Sequence, residues 1–480
     1  MNVFLNISKC LYFFTLLLFA ASFNECKQHS KFNGPKKPTE HTYAIRNVNI
    51  IPLTSENEVI RNATIVIKGN TILSINEAIP SQAEVIDGKG KWLSPGLIDM
   101  HVHIPTDGHF NTTYPTHAAV IFQNTQDIMT PFIANGVTTV FDLNSRAGHV
   151  GQRNEILRGE VVGPRIALAA MIDGGKGNGR IAKTPADGRQ AVRMAKAEGY
   201  EFIKTYSQLN IETYKAIVEE AGKEDMKVIG HIPNAFNGKI EQAFVPQFGM
   251  AAHAEEFFKL TEEDTAQNPI KLAQLAKAND TWLCPTLIII VSAAEQGHSL
   301  DELRTSPRLK YVHPLLQSKW LTANNYNKNA TPKSLARLER MIEFNNQLVK
   351  AAKQTGLPIV AGTDAGSSGV VWGFSLHDEI ELLVAAGLTP KEALESATRL
   401  PAAWLGLDKM IGTIEKGKFA DLVLLDANPL EDIKNTRKIS GVFANGRWLN
   451  KKNIESMLSE LAKRNTEAKN NWDWNKKGEY

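Results

Sequence analysis

Cysteine is scarce in this chain of 480 residues, which holds three. Cys10 lies in an N-terminal segment expected to be removed. That leaves Cys26 in a polar tail and Cys284 in a predicted strand. A Cys-rich metal site is excluded, and a structural disulfide is not expected. An excess of one charge is also lacking. The formal net charge is +3 and no basic run stands out in the body, so nucleic-acid binding has no electrostatic footprint. No internal repeat is visible. The run Gly174-Gly175-Lys176-Gly177-Asn178-Gly179 lacks the GxxxxGK[ST] order, so it is not a phosphate loop. A lid at the mouth of a site is the expectation for it. What remains is ordinary for a soluble globular protein, 43% hydrophobic and 22% charged. The length allows a large single-core enzyme with an accessory domain.

The N-terminus stands apart. Lys9 precedes a short apolar stretch over 11–21, and Ala20-Ala21-Ser22 supplies small residues for cleavage before Phe23. The stretch is short for a membrane span, so a signal peptide over 1–22 is expected, with a secreted or periplasmic protein as its product. An uncleaved anchor is one alternative. Lipid anchoring at Cys26 is another, although Glu25 precedes it where a small residue is usual. Residues 23–42 form a polar linker with Gly34, Pro35 and Pro38.

Two distant regions share one texture. Residues 43–93 and 409–450 are short Val/Ile-rich strands with turns such as Lys68-Gly69-Asn70 and Asn445-Gly446. Neither is large enough to bury a core alone, so they are expected to pair as one β-sandwich. Between them, over 94–408, eight apolar runs alternate with helical patterns. The runs are 97–103, 137–143, 165–171, 202–206, 227–232, 249–253, 281–287 and 358–363. The clearest helices are 189–198, 211–223, 269–278, 334–354 and 376–386. This α/β alternation predicts a parallel sheet, and eight repeats predict a (β/α)8 barrel. A doubly wound open sheet is the structural rival. The stretch 288–333 breaks the rhythm and is expected to add helices over one end. A helical tail follows over 451–480.

Polar residues gather at the ends of these runs, where barrels keep their chemistry. His101 and His103 are two apart on a strand, so both face one side. His231 and His253 end two later runs. Each alone is more often a hydrogen-bonded core histidine than a metal ligand, and it is the convergence of four histidines on one rim that points to ligands. Asp364 follows an apolar run, where a carboxylate is costly unless paired, metal-bound or used as a cap. Lys204 sits in mid-strand between apolar residues. It either faces solvent or must find a partner or lose its charge.

These residues resemble the amidohydrolase superfamily of metal-dependent hydrolases. The resemblance spans about 43–450. It rests on Leu93-Ser94-Pro95-Gly96-Leu97-Ile98-Asp99-Met100-His101-Val102-His103, on Gly362-Thr363-Asp364-Ala365-Gly366, and on Gly412-Thr413-Ile414-Glu415-Lys416-Gly417 with the strand after it. It implies two divalent metal ions, with zinc suiting His and carboxylate donors. His101, His103 and Asp364 would hold the first ion and His231 and His253 the second. Lys204, carboxylated on its amine, would bridge them. Phe202-Ile203-Lys204-Thr205-Tyr206 and Gly373-Phe374-Ser375-Leu376-His377-Asp378-Glu379 are similar to the imidazolonepropionase-related and Xaa-Pro dipeptidase-like branch. Imidazolonepropionases proper lack the lysine. Asn234 stands where deaminases of the superfamily carry a glutamate.

The implied activity is hydrolysis of an amide bond, in a dipeptide or an N-acyl amino acid, by metal-activated hydroxide. Asp364 would act as general acid/base. Tyr206, two residues after Lys204, is either a donor to the substrate or a packing tyrosine. His149, with Arg146 and Arg153 nearby, could bind a substrate carboxylate or lie in a solvated loop. Glu255-Glu256 is either support for the site or the start of a helix. The same site could cleave a cyclic amide, a lactone or a phosphotriester. A non-catalytic secreted binding protein on the same barrel is an alternative of another class, and an interaction module on the Asn-rich stretch 324–329 is a third. Small molecules or dipeptides are the expected partners, with self-association into a homo-oligomer expected by analogy.

Overall fold

A computed structural model describes residues 41–54, 59–106, 124–175, 179–261 and 268–469. The expected signal segment, Cys26 and three residues of the glycine run, Lys176, Gly177 and Asn178, lie outside the described residues. The chain enters through five short strands: β1 (Thr42–Ile50), β2 (Ile60–Lys68), β3 (Thr71–Ile75), β4 (Glu84–Asp87) and β5 (Trp92–Pro95). Val and Ile favour the pleat, and alternation buries Val48 and Ile50 on either side of half-buried Asn49. A register shift at Asn47 (φ 60°), between Ile45 and Val48, breaks the alternation and leaves Arg46 exposed. Gly69 sits at φ +59° in the β2–β3 turn, a conformation that suits glycine.

The barrel strands follow. They are β6 (Leu97–Val102), β7 (Val137–Asp142), β8 (Arg165–Asp173) with the short β9 (Arg180–Ile181) beside it, β10 (Phe202–Thr205), β11 (Lys227–Gly230), β12 (Phe248–Ala252) and β13 (Trp282–Cys284). Seven of them pair in parallel, in the order β13-β12-β11-β10-β8-β7-β6. The eighth apolar run closes the ring. On one side Leu283 N donates to Pro358 O (3.0 Å) and Val360 N to Leu283 O (2.9 Å). On the other, Met100 N donates to Ala361 O (3.0 Å) and Asp364 N to His101 O (2.8 Å). Gly362 permits this approach, since a Cβ there would lie 2.5 Å from Cys284 Sγ. The barrel reading stands, and the open-sheet rival falls with this closure.

The helices between strands start where the sequence caps them. Thr184, Asn210 and Thr331 each accept a backbone N–H of the first turn, and Gly356 ends the helix Pro332–Thr355 at φ +72°. The expected strand over 281–287 overshoots. It stops at Cys284, because Pro285 cannot donate to the ladder and Thr286 adopts a left-handed φ of 49°. The apolar run Leu287-Ile288-Ile289-Ile290 then opens the helix Leu287–His298. Helices Asp301–Thr305, Pro314–Thr322 and Asn325–Lys328 complete the excursion over 287–333.

After the barrel come β14 (Leu422–Leu425), β15 (Ile439–Ala444) and β16 (Arg447–Asn450). They join the entry strands in one sheet ordered β16-β15-β14-β5-β1-β2-β3, with β4 beside β1. Leu424 pairs with Leu93 across the junction of the two chain ends. Ile45, Ile65, Leu93, Leu422 and Phe443 share its core. The helix Lys451–Ala468 ties back through Arg464, whose Nη2 donates to Asp127 Oδ1 at 2.7 Å. No helix among the described residues is long and apolar enough to cross a membrane.

Candidate active site

Strand parity sets the interior of the barrel. Phe202, Ile229 and Val360 belong to an apolar layer inside it. Two residues on from the first two stand Lys204 and His231, and four on from Val360 stands Asp364, so these face the same interior. Two candidates need a local device. On β6 the apolar layer takes Met100, yet the very next residue, His101, joins the polar cluster. A register shift between Asp99 and Val102 accompanies this, as a bulge brings consecutive residues to one side. His253 follows Ala252 of the apolar layer and is re-aimed by a left-handed φ of 75°. Asp364 is left-handed too, at φ 61°. Positive φ at two non-glycine residues of one rim is strain of the kind that gathers at functional sites.

The rings form a continuous arc. Centroids lie 5.2 Å apart for His103 and His101, 4.6 Å for His101 and His253, 4.7 Å for His253 and His231, and 4.3 Å for His231 and Tyr206. Asp364 Oδ1 lies 3.1 Å from His101 Nε2 and 2.9 Å from His103 Nε2. One donor atom from each of these three residues falls within 4.8 Å of the others, a grouping able to hold a metal ion.

The far sides of two rings are fixed. His231 Nδ1 meets Glu256 Oε1 at 2.9 Å and Ser207 Oγ at 3.1 Å. His253 Nδ1 meets Thr286 Oγ1 at 2.7 Å. That leaves each Nε2 for a ligand, the usual arrangement of an oriented histidine. Glu256 is held in turn by Lys259 at 2.8 Å. Burial would raise its carboxyl, but His231 and Lys259 outweigh this and bring it down to about 2. Glu255-Glu256 is therefore both the start of the helix Glu255–Thr261 and support for His231.

Lys204 is buried, and its Nζ has no hydrogen-bond partner. Burial pulls the ammonium down to about 8 against the attraction of Asp364. Burial and the Lys204 charge push the His101 imidazole down to about 3, so that ring is neutral. Asp364 would be raised by burial, but the two imidazoles beside it hold it well below the usual carboxylate range. Nδ1 of His101 and Nζ of Lys204 are buried without a hydrogen-bond partner, and the close contacts of Asp364 Oδ1 with His101 Nε2 and His103 Nε2 lack hydrogen-bond geometry.

A model of the amidohydrolase family matches residues 92–449. The chain belongs to the amidohydrolase family. This amidohydrolase is 25% identical over 412 residues to an ochratoxinase of Aspergillus niger, covering 80% of this chain and 81% of the relative. A structure named as a prolidase candidate from Bifidobacterium longum superposes with a TM-score of 0.62 at 26% identity, covering 88% of this chain and 99% of the other. A Xaa-Pro dipeptidase with methionine in its active site has the same fold, with a TM-score of 0.62 at 23% identity, covering 85% of this chain and all of the other (100%).

His149 sits apart from the arc. Buried at 3% exposure, it accepts from Arg146 N at Nδ1 (2.8 Å) and meets Ile104 O at Nε2 (2.7 Å). Both nitrogens are spent on the main chain, so the ring caps a helix start and leaves no atom for a substrate carboxylate. Tyr206 is half-buried beside His231, and its hydroxyl makes no hydrogen bond among the described residues.

Other residues were missed. Asp99 is fully buried and accepts Thr363 Oγ1 (2.7 Å), Thr363 N (3.1 Å) and His101 N (3.2 Å), tying the first run to the eighth. Burial raises its carboxyl to about 7 despite these bonds. An acid inside an apolar strand was as legible a signal as Lys204. Glu379 is also fully buried. Its Oε2 accepts Ile288 N (2.9 Å), capping the helix that begins beside Thr286, the anchor of His253.

Proposed function

We propose that this amidohydrolase cleaves a carbon–nitrogen amide bond in a dipeptide or an N-acyl amino acid, with two divalent ions, zinc by preference, at the barrel rim. The observation that carries this reading is the set of buried atoms on His101, Asp364 and Lys204 that make no well-formed hydrogen bond, although Asp364 Oδ1 lies close to two imidazoles. Each such group costs about 1–3 kcal/mol if left unmade. A cation among them fits the donor set of imidazole and carboxylate. His101, His103 and Asp364 would hold one ion and His231 and His253 the other. Bound there, the ions bring the pKa of water toward neutrality and polarise a substrate carbonyl.

The lysine fits a carboxylated bridge. Burial, which pulls the ammonium down to about 8, makes the neutral amine accessible. That amine attacks carbon dioxide, forms an N–C bond and releases one proton, which replaces an unfavourable buried cation with an anionic oxygen donor. Asp364 takes the proton of the attacking water and delivers it to the leaving amine. The free hydroxyl of Tyr206 donates to the substrate's carbonyl or carboxylate. The names of the solved relatives, a prolidase candidate and a Xaa-Pro dipeptidase, favour dipeptides. Export, as a secreted or periplasmic enzyme, rests on Lys9 and the apolar run after it.

The test is elemental mass spectrometry of the purified protein, followed by a library of dipeptides and N-acyl amino acids. About two ions per chain with turnover of a library member is the expected result. No metal after incubation with zinc and bicarbonate would overturn the reading.

A further inference from the structure

Ala365 is held at the end of β6, where His103 N donates to its carbonyl at 2.8 Å, and beyond it the loop is gripped by the helical excursion. Ser367 Oγ donates to Asp364 Oδ2 at 3.1 Å. The next residue, Ser368, is enclosed by side chains of the excursion. Gln296 Nε2 donates to Ser368 O (2.9 Å), and Ser368 Oγ donates to Gln296 Oε1 (2.7 Å). Asn324 Nδ2 reaches Gln296 Oε1 (2.6 Å) and Ser368 Oγ (3.0 Å). Its Oδ1 accepts Asn327 N at 3.2 Å, and Asn327 Nδ2 returns to Gln296 O at 3.0 Å.

Gln296 and Asn324 are 3% and 4% exposed. A buried amide pair of this kind is stable only when its bonds are made together. Gly369 supplies the room: at φ +81°, a Cβ there would lie 2.7 Å from Gln296 Nε2. The first residue of the Asn-rich stretch is thus turned inward.

We propose that Asn324, Gln296 and Ser368 form a positioning latch that locks the loop over 366–369, fixes Ser367 and, through it, orients the carboxylate of Asp364. The latch touches no substrate. It rests on Asp364 serving at the rim as set out under the proposed function.

Two variants break it differently. Asn324→Asp keeps the acceptor for Asn327 N, removes the Nδ2 donors and turns a negative charge toward Gln296 Oε1. Ser368→Ala removes one hydroxyl and decides the matter if the first variant does not fold. Hydrogen exchange by mass spectrometry on the full chain in chelator should show the amides of 364–370 exchanging about tenfold faster in both, with β1–β5 unchanged. Zinc alone, titrated against a chromophoric chelator, should bind about tenfold more weakly. Ser368→Thr, which keeps the hydroxyl, should restore both. Ser367→Ala added to Asn324→Asp should cost no more than the larger single change. Unchanged loop exchange in folded variants would overturn the latch, even with zinc bound. A loop that loosens in a protein that takes up no zinc would instead uphold the latch and remove the metal reading.

Discussion

The barrel interior holds two layers built on the same strands, and they differ in how completely their contacts are met. The lower layer is saturated. Phe202 stacks on Trp404 (5.4 Å between centroids) and meets Phe141 edge-on (4.8 Å), while Trp404 Nε1 donates to Gly249 O at 3.1 Å. Further along the chain toward the rim, atoms of His101, Lys204, Glu255 and Asp364 are buried without a well-formed hydrogen bond. Folding alone gains from the first layer and must tolerate the second. Groups that break the rule of buried satisfaction, clustered at the end where barrels work, mark the part of the interior that answers to chemistry.

The contrast can be broken from either side. The largest effect is expected at the rim. Asp364→Asn should lower turnover of a library substrate by about 10³-fold, in the range of a lost general acid/base, with the fold intact by circular dichroism. A loss of only a few-fold would refute that role. In the lower layer, Phe202→Ala should destabilise by about 3–5 kcal/mol in urea unfolding, while the folded fraction keeps its zinc stoichiometry.

Lys204→Met makes the rim resemble the layer below. In chelator it should stabilise the protein by about 1–3 kcal/mol, because a buried unpartnered amine is removed, and zinc uptake should fall at the same time. Equal stability would mean that the amine has a partner in solution. A pH-dependent effect concerns Glu379, whose buried carboxyl is raised from its ordinary 4.5 to about 8. Between those values the folded state holds a proton that the unfolded state has released. Its stability contribution is therefore full below 4.5 and is lost as pH rises toward 8, with a slope of about 1.4 kcal/mol per pH unit. Glu379→Gln should flatten that alkaline decline in a series of melting temperatures. An unchanged slope would assign it to Asp99 or Glu255 instead.

Much of the site was legible because strand periodicity is local. Lys204, Tyr206 and His231 follow from parity with Phe202 and Ile229. His253 was found only because it ends an apolar run; its direction depends on a left-handed residue that spacing does not announce. His149 shows the opposite failure. A histidine in a loop with arginines suggests an anion site, yet its nitrogens are taken by Arg146 N and Ile104 O, the latter 45 positions away. The run 281–287 overshot for a related reason: Ile-rich sequence suits strand or buried helix, and Pro285 with Thr286 decided between them.

By itself the sequence determined the alternation of strands and helices, the pairing of the two chain ends, and the placement of His101, His103, Lys204, His231, His253 and Asp364 at strand ends. These follow from apolar periodicity and from the order of motifs, which act over a few residues. Only the tertiary structure decided that the eighth run closes the ring through Gly362, that Asp99 ties it to the first, and that Gln296 and Asn324 reach Ser368 beside Asp364. Those contacts join residues 44 to 264 positions apart. Long-range packing selects such partners, and no local pattern encodes them.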